Sequence, residues 1–253
     1  MKNTFKKRAG IFAAVMMMAA VSPSVYAEEI KEGDTYELSI IYDNDIHGRL
    51  DRLPQFKTLI DEAREEVDNL LVLNGGDIFL RGELQEQQGI PEMNILNAIG
   101  YDAWVLGNND FRVPTDGGTI EEGNEQIQNL ISVCEFPTLC ANVTMKDSGE
   151  YIGVTSLKPQ NREWEEVSDK VFESGELTVE RLMEEVAPQT DINIVLSHTG
   201  LAVDTKIANV KGVSAVIGAD DHYIITNPIY YPGEDGFKST PILQGGGEQD
   251  QYL

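Results

Sequence analysis

The chain has 253 residues, with 43 acidic side chains against 19 basic ones and a formal net charge of −24. That length fits one sizeable domain with a real core. A surface this acidic repels nucleic-acid backbones and anionic lipid, so neither is an expected partner, and an anionic ligand would need local positive charge, most simply from bound metal. Residues 1–27 read as a secretion signal: Lys2, Lys6, Lys7 and Arg8 lead, an apolar stretch runs over 9–21, and Val25-Tyr26-Ala27 supplies a cleavage site after Ala27. The stretch is too short for a stable membrane span. Cleavage removes four positive charges and no acid, taking the net charge from −24 to −28. It leaves residues 28–253 as one domain outside the cytoplasm, periplasmic or secreted, with no membrane contact.

Residues 38–42 form a continuous apolar run, expected of a buried strand. An amphipathic helix is predicted over 53–67, with Leu53, Phe56, Leu59, Ile60, Ala63 and Val67 on one face. Residues 70–73 give a second strand. Pro91 opens a helix that Gly100 closes. A short strand follows at 103–106, a helix at 121–133 and a strand at 138–142. Residues 151–157 look extended, the acidic run at 163–166 reads as a solvated face, and a helix at 177–186 stops before Pro188. Two more buried strands fall at 192–196 and 213–217. The tail from Ile224 is turn-rich, with short strands at 224–226 and 241–243. Alternating strand and helix predicts an α/β class with an at least partly parallel sheet. Cys134 and Cys140 are the only cysteines. In an oxidising compartment either a disulfide across the Glu135-Phe136-Pro137 turn or two buried thiols is open, and geometry decides between them.

Five polar clusters each follow an apolar strand. They are Asp43-Asn44-Asp45-Ile46-His47, Gly75-Gly76-Asp77, Gly107-Asn108-Asn109-Asp110, Ser197-His198-Thr199-Gly200 and Gly218-Ala219-Asp220-Asp221-His222. Ligands of open α/β sheets collect at the carboxyl ends of strands, so five such clusters are expected to converge. All three histidines of the chain lie in them. Carboxylate, imidazole and amide suit hard or borderline divalent cations. Extended Asp-x-His spacing points both side chains the same way, and two cations about 4 Å apart clamp a phosphoryl oxygen and lower the pKa of a shared water.

These motifs resemble the 5'-nucleotidase branch of the calcineurin-like metallophosphoesterases. Ile40-Ile41-Tyr42-Asp43-Asn44-Asp45-Ile46-His47-Gly48 resembles the opening motif of that branch and Leu73-Asn74-Gly75-Gly76-Asp77 the second. Ala141-Asn142-Val143, Val195-Leu196-Ser197-His198-Thr199-Gly200 and Thr240-Pro241-Ile242 recur there in the same order. The resemblance implies a four-layer αββα sandwich of the metallo-dependent phosphatase type, holding two divalent ions such as manganese or zinc and acting on small phosphomonoesters, often nucleotides. By position it assigns Asp45, His47 and His222 to the first metal, Asp77 as a bridge, and Asn108, His198 and Asp220 to the second.

Four departures accompany the resemblance. The family pattern Gly-Asn-His-Asp/Glu reads Gly107-Asn108-Asn109-Asp110, so Asn109 replaces the catalytic helper histidine, and Asp110, its acidic partner, is left as a solvated loop acid. Asp220 stands where the family's Gly-x-His-x-His element has a histidine, with Asp221 held outside the ligand set. The stretch between Val143 and Leu157 is short for the family. The second domain, which grips the nucleoside base, is expected to be absent. The resulting expectation is a 5'-nucleotidase-like phosphoesterase of reduced activity. Its alternative is a pseudoenzyme that binds metal and a phosphate or nucleotide ligand without turnover.

Overall fold

A computed structural model describes residues 35–79, 81–111, 120–145, 151–153, 170–232 and 239–247. The leader at 1–27, the extended stretch beyond Gly153 and the acidic run at 163–166 lie outside them. Strand β1 (Ser39–Asp43) pairs in parallel with β2 (Leu70–Asn74), β2 with β3 (Ala103–Val105), and β3 with β4 (Thr138–Met145). Both β5 (Tyr151–Gly153) and β6 (Lys170–Phe172) run antiparallel to β4. The connections are helices α1 (Leu53–Glu66), α2 (Ile90–Ile99) and α3 (Ile120–Val133). Helix α2 ends where Gly100 takes a left-handed φ of 83° and its N–H closes on Leu96, a stop that glycine adopts without a Cβ penalty.

A second sheet has the order β7-β8-β10-β9. It comprises β7 (Ile194–Leu196), β8 (Ala215–Gly218), β9 (Ile229–Pro232) and β10 (Ser239–Gln244), preceded or joined by α4 (Gly175–Val186) and α5 (Leu201–Ile207). β7–β8 and β8–β10 are parallel, and β9 is antiparallel to β10.

Successive strand residues face opposite sides, and here both sides are dry. Val72 and Trp104 join Phe56, Ile60, Met93, Leu96, Ile127 and Leu130 under the first helical layer. Tyr42, Leu73 and Val105 meet Leu196 and Ile217 between the sheets. Val216 and Ile242 pack on Val179 and Ile207 beneath α4 and α5. At about 1.5–3 kcal/mol for each fully buried large apolar side chain, these three interfaces stack helices, sheet, sheet and helices into the expected αββα order. It also explains why the central strands read as unbroken apolar runs.

The structure departs from expectation in places. Of the strand placed at 224–226, only an isolated bridge from Ile224 to Gly245 forms; the edge strand is β9, beyond Asn227-Pro228. Strand β6 and helix α5 were not anticipated, the helix because seven residues are too few to show a helical period. Cys134 and Cys140 are two separate thiols: Cys134 Sγ donates to the Phe136 carbonyl at 3.0 Å, and both pack against the first core. The bridge is therefore not made. Among the described residues, no helix is long and apolar enough to cross a membrane.

Candidate metal centre

Parallel pairing continues past the strand ends. Gly75 N–H donates to Asp43 O at 2.7 Å, Asp45 N–H to Gly76 O at 2.8 Å, His47 N–H to Asp77 O at 2.9 Å and Gly48 N–H to Ile78 O at 2.7 Å. The loops after β1 and β2 are thus zipped together, which brings Asp45, His47 and Asp77 to one place. The third loop presses on the second so tightly that a Cβ on Gly76 would lie 2.6 Å from Gly107 N, and one on Gly107 would collide with Asp77 Oδ1. From the opposing sheet, Ser197 N–H bonds to Ile217 O at 2.8 Å, aligning the loops that carry His198 and the Asp220–His222 pair.

Convergence does not come from an extended Asp-x-His, as the sequence spacing suggested. Asp45, His47, Asp77, Asp220 and His222 all have left-handed backbones, with φ of 52°, 50°, 55°, 81° and 57°. Such conformations are costly for residues with a Cβ and cluster at functional sites. They turn the side chains out of the strand direction toward one point, where Asp45, His47 and Asp77 are buried and His222 stands at the exposed rim.

Two groups of ligand atoms result: Asp45, His47 and His222, and Asp45, Asp77 and His198. Asp45 Oδ1 is common to both, 3.2 Å from His222 Nε2, 3.8 Å from His198 Nε2 and 3.9 Å from His47 Nε2. Asp77 Oδ2 lies 3.4 Å from His198 Nε2 and 3.9 Å from His47 Nε2. The Nε2 atoms of His47 and His222 face each other at 3.3 Å. Asp220 Oδ1 stands 3.9 Å from His198 Nε2, and Asp220 N–H donates to Asp45 Oδ2 at 3.1 Å.

This donor set fits divalent cations. Asp45 Oδ1 and His198 Nε2 are buried without a hydrogen-bond partner, and such orphans are rare unless a ligand or ion satisfies them. A carbonyl can only accept, so His198 Nδ1 carries the proton in its 2.6 Å bond to Gly75 O, leaving the Nε2 lone pair for a metal. Burial alone would lower the His198 pKa. The charges of Asp77, Asp45 and Asp220 overcome it and hold the imidazole well above its ordinary value. Burial alone would raise Asp77, but His198, His47 and the Asn109 hydrogen bond hold its carboxyl below the usual range. The centre has more negative charge than its own groups neutralise comfortably, and a cation relieves that.

The remaining predicted residues fall as follows. Asn108 is half-buried in the turn after β3, between Gly107, whose missing Cβ makes room for Asp77, and Asn109, which binds it. Asn109 is buried and turned onto Asp77: its N–H donates to Oδ1 at 2.7 Å and its Nδ2 to Oδ2. Asp110 is not a solvated loop acid. It is 1% exposed and accepts four backbone N–H groups, from Asp77 and Gly107 on Oδ2 and from Ile78 and Phe79 on Oδ1, at 2.7–3.3 Å. It therefore clamps the second and third loops together. Asp221 accepts the Leu201 N–H at 2.6 Å and caps α5.

Sequence reasoning missed three supporting groups. Asn44 ties the first loop to the end of β10, accepting Gly245 N–H at 3.1 Å and donating to Gly246 O. Asp43 is buried with Tyr101 Oη at 2.7 Å and Asn74 Nδ2 at 2.8 Å. Asp204, on α5, accepts from Ser197 and Thr199. Asp43 and Asn44 stand in the first polar cluster, but only burial marks their supporting role and that of Asp204, and a single sequence does not show burial.

The family profile described as calcineurin-like phosphoesterase matches residues 39–223, a span that contains every one of these ligand atoms. The chain belongs to the calcineurin-like phosphoesterase family. Members of this family use divalent metal ions. It is 27% identical over 239 residues to a probable 5'-nucleotidase of Treponema pallidum, covering 77% of this chain and 38% of that protein. It is 25% identical over 237 residues to the trifunctional nucleotide phosphoesterase YfkN of Bacillus subtilis, covering 75% of this chain and 16% of that one. The solved NAD nucleotidase of Haemophilus influenzae superposes with a TM-score of 0.70 at 20% identity, over 84% of this chain and 46% of that one. The chain is thus related to 5'-nucleotidases and spans less than half the length of each of these relatives.

Burial sets the pH response of the metal-free chain. Asp43, Asp110 and Asp204 are each pushed up to about 7 by burial, Asp110 also by the Asp77 charge. A carboxyl whose pKa is raised on folding stabilises the fold fully below its unfolded value and loses that contribution as pH rises through the folded value. His198, also raised, has the same sign above its ordinary pKa. His47, lowered by burial, has the opposite sign below its own, but three carboxyls outweigh it. The melting temperature of chelator-treated protein is therefore expected to fall from pH 5 to pH 8. A melting temperature that climbs over that interval contradicts this electrostatic picture.

Proposed function

We propose that this chain is an exported two-metal phosphoesterase, 5'-nucleotidase-like, that hydrolyses phosphomonoesters with reduced activity. The observation that carries the reading is Asp45 Oδ1, buried without a partner among three imidazole nitrogens at 3.2–3.9 Å, with Asp77 alongside. A pair of divalent cations supplies Lewis-acid polarisation of a phosphoryl oxygen and a water of lowered pKa. Asp45, His47 and His222 would hold one cation, Asp77 would bridge, and His198, Asp220 and Asn108 would hold the other. The zipped β1 and β2 loops fix Asp45, His47 and Asp77, and the loops after β7 and β8 carry His198, Asp220 and His222. Export rests on the composition of residues 1–27, and the expected location is the periplasm or the medium.

Reduced activity rests on Asn109 and Asp220. Asn109 stands where the family pattern has a histidine, and its amide is occupied by Asp77. A side-chain amide has no useful pKa, whereas a positioned acid–base group contributes roughly 10²–10⁴-fold. Asp220 replaces an imidazole with a carboxylate, which adds negative charge and favours harder ions such as manganese. The same position of Asn109 favours a second reading, binding of metal and a phosphate or nucleotide ligand without turnover.

Metal analysis and phosphate release from an aryl phosphate, with and without manganese, separate the readings. The first expects two divalent ions per chain and manganese-stimulated release. Uptake with no release above blank at high protein concentration leaves the binding-only reading, and no uptake under saturating manganese defeats both.

A further inference from the structure

Asp204 is an acid of the short helix α5, and its surroundings differ from those of a surface carboxylate. It is 1% exposed. Its Oδ1 accepts from Ser197 Oγ at 2.6 Å and from Thr199 Oγ1 at 2.8 Å, and those hydroxyl oxygens are 2.9 Å apart. Ser197 and Thr199 are the residues immediately before and after His198, and both are buried. The other oxygen, Oδ2, lies against Gly218, where a Cβ would strike it. Gly218 pairs with Gln244 across the sheet. Gln244 is also 1% exposed, and its amide, like Asp204 Oδ2, has no partner. Strand alternation puts Ser197, Gly218 and Gln244 on the α5 side of the second sheet, together with Val216 and Ile242.

We propose that Asp204 is the positioning residue for the second cation site: by gripping the residues on both sides of His198 it fixes where His198 Nε2 points. This rests on the two-cation reading above. Among the described residues, the Ser197 N–H bond into β8 and the Asp204 grip attach the chain around His198 on this side. On the ring, Nδ1 is held by Gly75 O. Without Asp204, two buried hydroxyls lose their acceptor, and the loop is free to rotate the imidazole away from Asp45 and Asp77. Gly218 belongs to the same device, because any larger residue would expel the carboxylate from its place. Outer partners that orient a ligating histidine typically matter by about 10–100-fold in metal affinity.

The test is manganese binding by isothermal titration calorimetry, with thermal melting as the folding control. Asp204→Ala is expected to weaken the second-site affinity by about 10-fold or more, and Asp204→Asn, which keeps an acceptor at Oδ1, to remain within a few-fold of the unaltered chain. In a His198→Ala background, Asp204→Ala is expected to cause no further loss, because the ring it orients is gone. Asn193→Ala, which removes the side-chain bonds to Thr190 Oγ1 and the Gly212 carbonyl at the other end of β7, should lower the melting temperature without changing affinity. If Asp204→Ala fails to fold, the double variant Ser197→Ala, Thr199→Val removes the same grip and is expected to show the same loss. Unchanged affinity in folded Asp204→Ala, or an equal loss with and without His198, overturns this inference and leaves the two-cation reading intact. No cation uptake by the unaltered chain overturns both.

Discussion

Asp77→Asn is expected to abolish cation uptake at the shared position and to lower manganese-stimulated phosphate release by roughly 10²–10³-fold, the scale of losing a preorganised electrostatic group. Both Asp77 oxygens already face donors: Oδ1 meets the Asn109 N–H and Oδ2 its Nδ2. Whichever way a new amide turns, its NH₂ confronts a donor. The negative charge that draws His198 and His47 toward the centre also disappears. The change is isosteric and the loops are held independently by Asp110, so the variant should still fold. The checks are calorimetric binding, phosphate release and the melting curve. A folded variant retaining full manganese-stimulated release would mean that turnover does not pass through this centre.

Asn109→His is expected to act in the opposite direction, raising turnover by roughly 10²-fold. The backbone N–H of residue 109 would still hold Asp77 Oδ1, since that bond does not depend on the side chain. Only the Nδ2 contact to Oδ2 is lost, and it is exchanged for an imidazole able to donate to a leaving group. The diagnostic is the pH profile of kcat, which should acquire an ionisation near the histidine value of about 6.5 that the unaltered chain lacks. Adding Asp220→His should increase the gain by making the centre less negative. Wild-type rates from both variants would show that the missing imidazole is not what limits this chain, and would favour the ligand-binding reading.

Sequence and structure agree most closely where chemistry repeats along the chain. Parallel strands ending in polar clusters are legible because both faces of each strand are buried, which gives the unbroken apolar runs at Ile40-Ile41-Tyr42 and Leu71-Val72-Leu73. The candidate ligands Asp45, His47 and Asp77 were legible because aspartate and histidine stand just after those runs. What stayed hidden depended on contacts distant in sequence. Asp110 looked like a stranded acid because the four N–H groups that hold it include three from another loop. Asp204 sits in Val203-Asp204-Thr205-Lys206, a string with no apolar run or motif to mark it, and only the fold brings Ser197 and Thr199 over it. Strand β9 was displaced because its pairing with β10 is set by the tail's path across the sheet rather than by local propensity.

The five left-handed residues around the centre carry a further consequence. Each such conformation costs on the order of 1–3 kcal/mol, and that strain is already offset by the apolar layers on either side. A cation would therefore meet ligand side chains already turned toward one another, with Asp45 Oδ1 and His222 Nε2 3.2 Å apart. Because the backbone is ordered beforehand, the free energy of ion binding would not be spent on arranging it.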